Sequence, residues 1–176
     1  MARPRTIDRE HLLDVAESVV AESGAVGLSF GAIATAAGVP KASVQSAFGT
    51  REALIEAMLD RWMTQERMRF EGAAGPRPSA RKRIQAHVQT TAEESDVSMR
   101  RVATLLAAMV GSTQQVGRAV EWYASRVGEL KARTEEERRL RLAFLATEGA
   151  FYMRYLIGYP MSDEVWEDIF RDISGT

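Results

Sequence analysis

The chain has 176 residues, 45% of them hydrophobic and 27% charged, with a net charge of -1, 2 histidines and no cysteine. This is the composition of a folded globular protein with enough length for a sizeable core, and it excludes a disulfide framework, a thiol redox switch and a thiolate metal site. His11 and His87 lie too far apart in sequence to suggest a metal site, so neither metal nor cofactor is expected.

Helical spacing begins near the N-terminus. Leu12, Val15, Ala16, Val19 and Val20 form the apolar stripe of a first helix from Asp8 to Ser23, which Gly24 ends. Ser29 is placed to cap a second helix, with Phe30, Ile33, Ala34 and Ala37 on one face. Gly38 supplies a left-handed turn, and Pro40 is tolerated where the next helix starts. Val44 and Phe48 then bring the apolar face of a short helix, opened by Lys41, back against its predecessor. Gly49 and Thr50 break that helix, and Thr50 caps a fourth. Leu54, Ile55, Met58, Leu59 and Trp62 carry the fourth helix to Phe70, a rod of ~30 Å at ~1.5 Å per residue.

Gly72 to Pro78 is the one clear break in composition. Beyond it the pattern predicts helix five over 79–93, six over 97–110, seven over 114–132, eight over 135–158 and nine over 163–173. Pro160 stops the eighth and Ser162 caps the ninth. No strand alternation is sustained, so the expected fold is all-α with about nine helices. The expected divisions are a helix-turn-helix domain over 1–50, a connecting helix over 51–71 and a larger helical domain over 72–176.

Two short helices joined by a glycine turn are the elements of a DNA reader whose second helix enters a major groove. On that second helix Lys41 and Ser43 can hold phosphates or base edges, Ala42 lets the backbone approach, and Gln45 and Ser46 can read bases. Ser29 and Arg51 flank it, Arg51 at a helix N-terminus where a phosphate would also be held. The charge sum argues against a diffusely basic nucleic-acid coat, but Arg3, Arg5, Lys41 and Arg51 suffice for a local positive face while Asp14, Glu17 and Glu22 lie on the outer side of helix one.

The segment resembles the DNA-binding domain of the tetracycline-repressor (TetR/AcrR) family. The resemblance rests on Ala16, Glu22, Ser23 and Gly24, then Ile33, Ala34, Ala37, Gly38 and Val39, then Phe48, Arg51, Glu52 and Leu54, all at the family spacing. It implies a homodimeric transcriptional regulator, a palindromic double-stranded operator and a small apolar effector bound in a C-terminal ligand-binding and dimerisation domain. Gln45 and Ala47 stand where the family usually has Tyr and His, so base preference is expected to differ from that of relatives.

In the C-terminal half, helix eight is apolar nearly all the way round and must be buried on several sides. Helix nine carries one apolar stripe with acids outside. Together they suit a two-fold four-helix interface, with Phe151, Tyr155, Val165, Trp166, Ile169 and Phe170 as its candidates. Glu148 is the odd residue of helix eight, because an unpaired carboxylate among apolar neighbours is costly: it faces a cavity, pairs with a cation or marks a polar seam. The pocket that the resemblance implies would draw on His87, Met109, Trp122, Tyr123, Phe144, Glu148, Phe151, Tyr152 and Tyr155, although aromatics at helical spacing equally make plain core.

No nucleophile-base pair, metal cluster or phosphate loop is legible, with the histidines isolated and Glu148 lacking an evident acid-base partner, so no enzyme is expected. No apolar run approaches the ~20 residues of a membrane span and the first residues lack a signal peptide's apolar core, so a cytoplasmic location is expected. The reading is a sequence-specific, ligand-responsive repressor. Its alternatives are an effector-independent dimeric DNA binder and an all-helical small-molecule carrier.

Overall fold

The computed structural model describes residues 8–109, 113–128 and 130–175, and among these there are nine α-helices and no strand. Two compact units divide the chain, one up to Met63 and the other from Thr64, so the boundary falls inside a helix. Arg3 and Arg5 lie outside the described residues, as does the side chain of Met109.

The first unit is built from α1 (Arg9–Gly27), α2 (Phe30–Ala37), α3 (Lys41–Phe48) and the start of α4 (Arg51–Ala74). Leu12, Leu13, Ala16 and Val20 from α1, Ile33 and Ala34 from α2, Val44 and Phe48 from α3, and Leu54, Ile55, Met58 and Leu59 from α4 are all buried. Each large apolar side chain removed from water in this way contributes roughly 1.5–3 kcal/mol. Gly24 leaves helical dihedrals, as its position in the sequence predicts, but a further turn carries helical structure to Gly27.

The second unit contains the end of α4 with α5 (Ala80–Ala92), α6 (Asp96–Met109), α7 (Thr113–Val127), α8 (Glu135–Phe151) and α9 (Asp163–Ser174). Helix α5 packs on α7, α8 and α9. Ile84, Val88, Phe144, Ala150, Trp166, Phe170 and Ile173 make the core between them. Three boundaries differ from the sequence reading. Helix α4 runs through Gly72 to Ala74 because Phe70 and Ala74 are buried with Ala86, which holds the last turn in place despite the glycine. Helix α7 stops at Val127, where Gly128 takes φ 66°. The eighth helix is α-helical only to Phe151 and then widens into a π turn over Tyr152–Leu156, closed by Ile157 N–H donating to the Tyr152 carbonyl at 2.9 Å.

The π turn coincides with three side-chain anchors. Tyr155 donates its hydroxyl to Asp96 at 2.9 Å, Arg154 donates to Asp96 at 3.2 Å and also to Asp163, and Tyr152 meets Tyr123. A turn with one extra residue lets neighbouring side chains reach α6, α7 and α9 at once. Arg154 is further held over the rings of Tyr155 and Trp166, at 5.2 and 5.1 Å.

Candidate functional site

The helical pair α2–α3 is fixed by caps that the sequence encodes directly. Ser29 Oγ accepts from Ala32 N–H at 3.1 Å, satisfying a donor at the start of α2. At its end Val39 N–H donates to the Ala34 carbonyl at 3.0 Å and Gly38 N–H to the Thr35 carbonyl at 3.3 Å, a Schellman closure. Gly38 takes φ 65° and ψ 33°, which a side chain would penalise. Helix α3 then turns Val44 and Phe48 inward and leaves Lys41, Ala42, Gln45 and Ser46 exposed, with Ser43 and Ala47 half-buried. Positions 41, 42, 45 and 46 are one continuous helical face, so a cation, a small residue and two hydrogen-bonding side chains share a single outward surface.

The exit from α3 is sharper still. Gly49 adopts φ 74° and ψ -69°, and Thr50 N–H donates to the Phe48 carbonyl at 2.9 Å, a γ-turn whose central conformation is strained for any residue with a Cβ. Thr50 Oγ1 accepts from Ala53 N–H at 3.1 Å and so caps α4. Arg51, read from the sequence as a phosphate contact, donates its Nε–H to the Leu28 carbonyl at 3.1 Å. That bond ties the start of α4 to the residue preceding the α2 cap. Arg61 lies against α1, 2.5 Å from Asp14 and within 4 Å of Glu10 and Glu17, so these acids carry a cation of their own. Arg9 covers Phe48 with its guanidinium 5.2 Å from the ring.

The second unit holds a polar group inside its aromatic core. Glu148 of α8 is bonded through Oε1 to His87 Nε2 at 2.7 Å, and its Oε2 accepts from the Tyr123 hydroxyl at 2.5 Å. Tyr123 and Tyr152 hydroxyls meet at 3.0 Å. Glu148 is therefore not without a partner, nor is His87 isolated. The sequence reading missed the pair because its members are 61 residues apart and only the α5–α8 packing joins them. Burial pushes the Tyr123 phenol well above its usual range and the Glu148 charge adds to this, so the hydroxyl remains a donor. Phe144 stands 5.2 Å from the His87 ring and Trp122 6.2 Å, with Trp122 edge-on to Tyr123 at 4.8 Å.

A second buried group, which sequence reasoning missed, borders the first. Arg126 is 2% exposed, donates to Glu66 at 3.1 Å and lies between the rings of Trp122 and Phe70, 4.0 and 4.3 Å away. Burial pulls the Arg126 guanidinium down and the Glu66 and Glu148 charges support it. Arg69 pairs with both Glu66 and Glu94. Spacing of four, Glu66 to Phe70 and Trp122 to Arg126, was the available signal, since each pair shares a helical face.

Of the pocket candidates, His87, Trp122, Tyr123, Phe144, Glu148 and Tyr152 come together here. Phe151 is buried against Tyr152 and Tyr155, while Tyr155 turns its hydroxyl to α6. Of the interface candidates, Trp166 and Phe170 are buried within the protomer, where the apolar stripe of α9 packs on α5 and α8, and Phe151 of α8 is buried as well. Ile169 and Tyr155 pack against the same core, leaving Val165 exposed. The apolar residues that the eighth helix and α9 leave at the surface are Leu142, Leu145, Met153, Leu156, Ile157 and Val165.

A capped helical pair with one polar outward face, followed by a long helix entering an all-helical second unit, defines a helix-turn-helix regulator of transcription. Residues 12–58 match the bacterial regulatory proteins of the tetR family, and residues 81–175 match the tetracyclin repressor-like C-terminal domain. The chain belongs to the tetracyclin repressor family of DNA-binding transcriptional regulators. Among solved structures it is similar to a transcriptional regulator from Rhodococcus sp. Rha1, at 23% identity over 96% of this chain and 94% of that one, with a TM-score of 0.69. A TetR-like transcriptional regulator from Rhodococcus sp. RHA1 shares 22% identity over 99% and 97% of the chains, with a TM-score of 0.58. The multidrug binding protein EbrR complexed with malachite green shares 18% identity over 95% and 98%, with a TM-score of 0.61. At these identities the likeness is one of fold. No curated protein matches the sequence. No helix among the described residues is long and apolar enough to cross a membrane.

Proposed function

We propose that this chain is a cytoplasmic, non-enzymatic repressor that binds a palindromic operator as a homodimer and is released by a small, largely apolar effector. The observation that carries the reading is the outward face of α3, where Lys41, Ala42, Gln45 and Ser46 are exposed while Val44 and Phe48 anchor the helix from behind. Lys41 and Ser43 hold phosphates, and Gln45 reads adenine through its paired donor and acceptor. Ser29 and Arg51 act at the edge of that surface, Arg51 mainly by holding α4 against Leu28. Two such helices must stand about 34 to 36 Å apart to enter successive major grooves.

Dimerisation is supported by the exposed stripe of Leu142, Leu145, Met153, Leu156, Ile157 and Val165, since apolar residues gathered on two adjacent helices favour a partner over water. The effector site is the group around Tyr123, Glu148 and Tyr152, where hydroxyls and a carboxylate meet among aromatic rings; that the chain binds an effector at all is supported by its likeness to EbrR, a multidrug binding protein complexed with malachite green. Trp122 belongs to that group and covers Arg126, which contacts Phe70 and Glu66 of α4. An effector that moves α7 therefore acts on α4, a helix shared by both units, and so on the separation of the two readers.

Selection of duplexes from a random pool by the purified full-length chain tests the reading. Palindromic sequences with two half-sites one helical turn apart, bound by a dimer in a salt-dependent way, are the expected result. A monomeric chain with no sequence preference would overturn it.

A further inference from the structure

The charge of this chain is unevenly placed. Residues 77–83 and 131–141 hold nine of its 23 arginines and lysines against three glutamates, an excess of six in a protein whose net charge is -1. The second unit brings the two segments together at the start of α5 and of α8, where Arg81 pairs with Glu136 at 2.9 Å. The three acids are already engaged. Glu135 serves both Arg138 and Arg139, Glu136 serves Arg81, and Glu137 accepts from the backbone N–H groups of Arg133 and Thr134 in the cap of α8. Lys82 makes no ion pair among the described residues.

Between the two segments lies a cleft of about 690 Å³, the size of a small-molecule site. Its floor is the edge of the core, Ile84, Val88, Ala143 and Ile173, with Leu140 beside them. Arg81, Lys82 and Arg139 line it together with Glu135 and Glu136, and Gln85 and Gln89 line it from one face of α5. Gln89 donates to Glu93 at 3.0 Å, whereas the Gln85 amide makes no hydrogen bond among the described residues. Exposed pairs such as Arg81–Glu136 and Arg139–Glu135 are each worth little, so their guanidinium groups are free to turn to a phosphate, which accepts from both forks at once. Lys82 adds a third positive charge. The apolar floor suits a flat ring, and the Gln85 amide, with donor and acceptor side by side, matches the edge of a heteroaromatic base. We propose that this cleft binds a nucleoside phosphate, its phosphates held by Arg81, Lys82 and Arg139 and its base laid on the floor beside Gln85. None of the lining residues belongs to the group of Tyr123, Glu148 and Tyr152, so the site is separate from the effector site and stands without it. A nucleic-acid duplex would use the charged rim alone, since its bases are stacked away from the floor.

The test is calorimetric titration of the full-length chain with the four ribonucleoside diphosphates, with their nucleosides and with inorganic pyrophosphate. One or more of the diphosphates is expected to bind roughly tenfold more tightly than both its nucleoside and pyrophosphate. Lys82→Ala combined with Arg139→Ala is expected to lower that affinity by roughly tenfold or more, and Gln85→Ala to weaken the diphosphate while leaving pyrophosphate unchanged. Lys82, Gln85 and Arg139 are exposed, so these variants are expected to keep the urea midpoint and the duplex affinity of the unaltered chain. Pyrophosphate binding as tightly as every diphosphate would overturn the proposal, because the floor and Gln85 would then contribute nothing. Failure of all four diphosphates to bind the folded, duplex-binding chain would overturn it too, as would an affinity that the double variant retains. Displacement of the diphosphate by a duplex of unrelated sequence, equally in the unaltered chain and in one carrying Lys41→Ala and Gln45→Ala, would assign the rim to nucleic acid instead and overturn it likewise.

Discussion

Arg126 and Glu66 form a buried ion pair at 3.1 Å, and the arginine's planar guanidinium is held between Trp122 and Phe70. Desolvating both charges costs more than a surface pair ever returns, so the pair stabilises the fold only while both members are present. Glu66→Gln or Arg126→Met alone is expected to lower stability by about 3–5 kcal/mol. The joint replacement Glu66→Leu with Arg126→Met is expected to recover most of that loss. Urea unfolding followed by tryptophan fluorescence compares the four proteins, and additive losses in the double variant would show that no pair is being broken.

Gly49 occupies a conformation in which a side chain is strained even though nothing lies within 4 Å of where its Cβ would be. Gly49→Ala is therefore expected to cost about 1–3 kcal/mol through backbone strain alone. Because the strained turn sets where α3 ends and α4 begins, duplex affinity should fall with stability. A thermal melt and a duplex titration on the same sample check both, and an unchanged melting temperature would contradict the strain.

Lys41 and Gln45 share one face of α3 but are expected to fail differently. Lys41→Ala should weaken binding uniformly across sequences and reduce the slope of log affinity against log salt by about 1. Gln45→Ala should cost about 1–3 kcal/mol at one A·T position and little on other duplexes. Titrations at several salt concentrations, on a selected duplex and on one changed at single positions, separate the two roles. Identical salt slopes for Lys41→Ala and the unaltered protein would remove the phosphate contact.

Asp96 binds three partners at the α6 terminus, Arg100, Arg154 and Tyr155. Partial burial raises its proton affinity, but the bonds from Arg100 and Tyr155 and the charges of Arg100 and Arg154 outweigh this and hold the carboxyl below its usual range. A value lower in the folded state than in the unfolded one means that the unfolded chain takes up the proton first. The stabilisation is thus complete above the usual aspartate range and is lost as pH falls through the folded value. Asp96→Asn should be less stable than the unaltered chain near neutrality, with the difference shrinking from about pH 4 downward. Chemical denaturation midpoints across that range decide it, and a gap that widens on acidification would contradict the sign.

The reader was legible in the sequence because its determinants are local. Ser29 caps, Gly38 turns, Thr50 caps again, and Val44 and Phe48 recur at helical spacing, so each feature acts within one turn of its own position. Arg51 was legible as a residue of note, but its bond to Leu28 spans 23 positions and no local rule points to it. The same distinction governs α9, whose stripe was evident while its burial was not. Periodicity reports that Trp166 and Phe170 must be covered, and whether a partner or the chain's own α5 and α8 does the covering depends on packing.

By itself, then, the amino-acid sequence determined the helices, their caps and the outward face of α3, because hydrogen bonds and side-chain spacing within a turn depend only on near neighbours. Tertiary structure alone decided that Glu148 meets His87 and Tyr123, that Arg126 is held between Phe70 and Trp122, and that the eighth helix widens at Tyr152. Glu148 lies 61 positions from His87 and 25 from Tyr123, and Arg126 lies 60 from Glu66, so a buried charge takes whichever partners the packing of distant helices brings within reach.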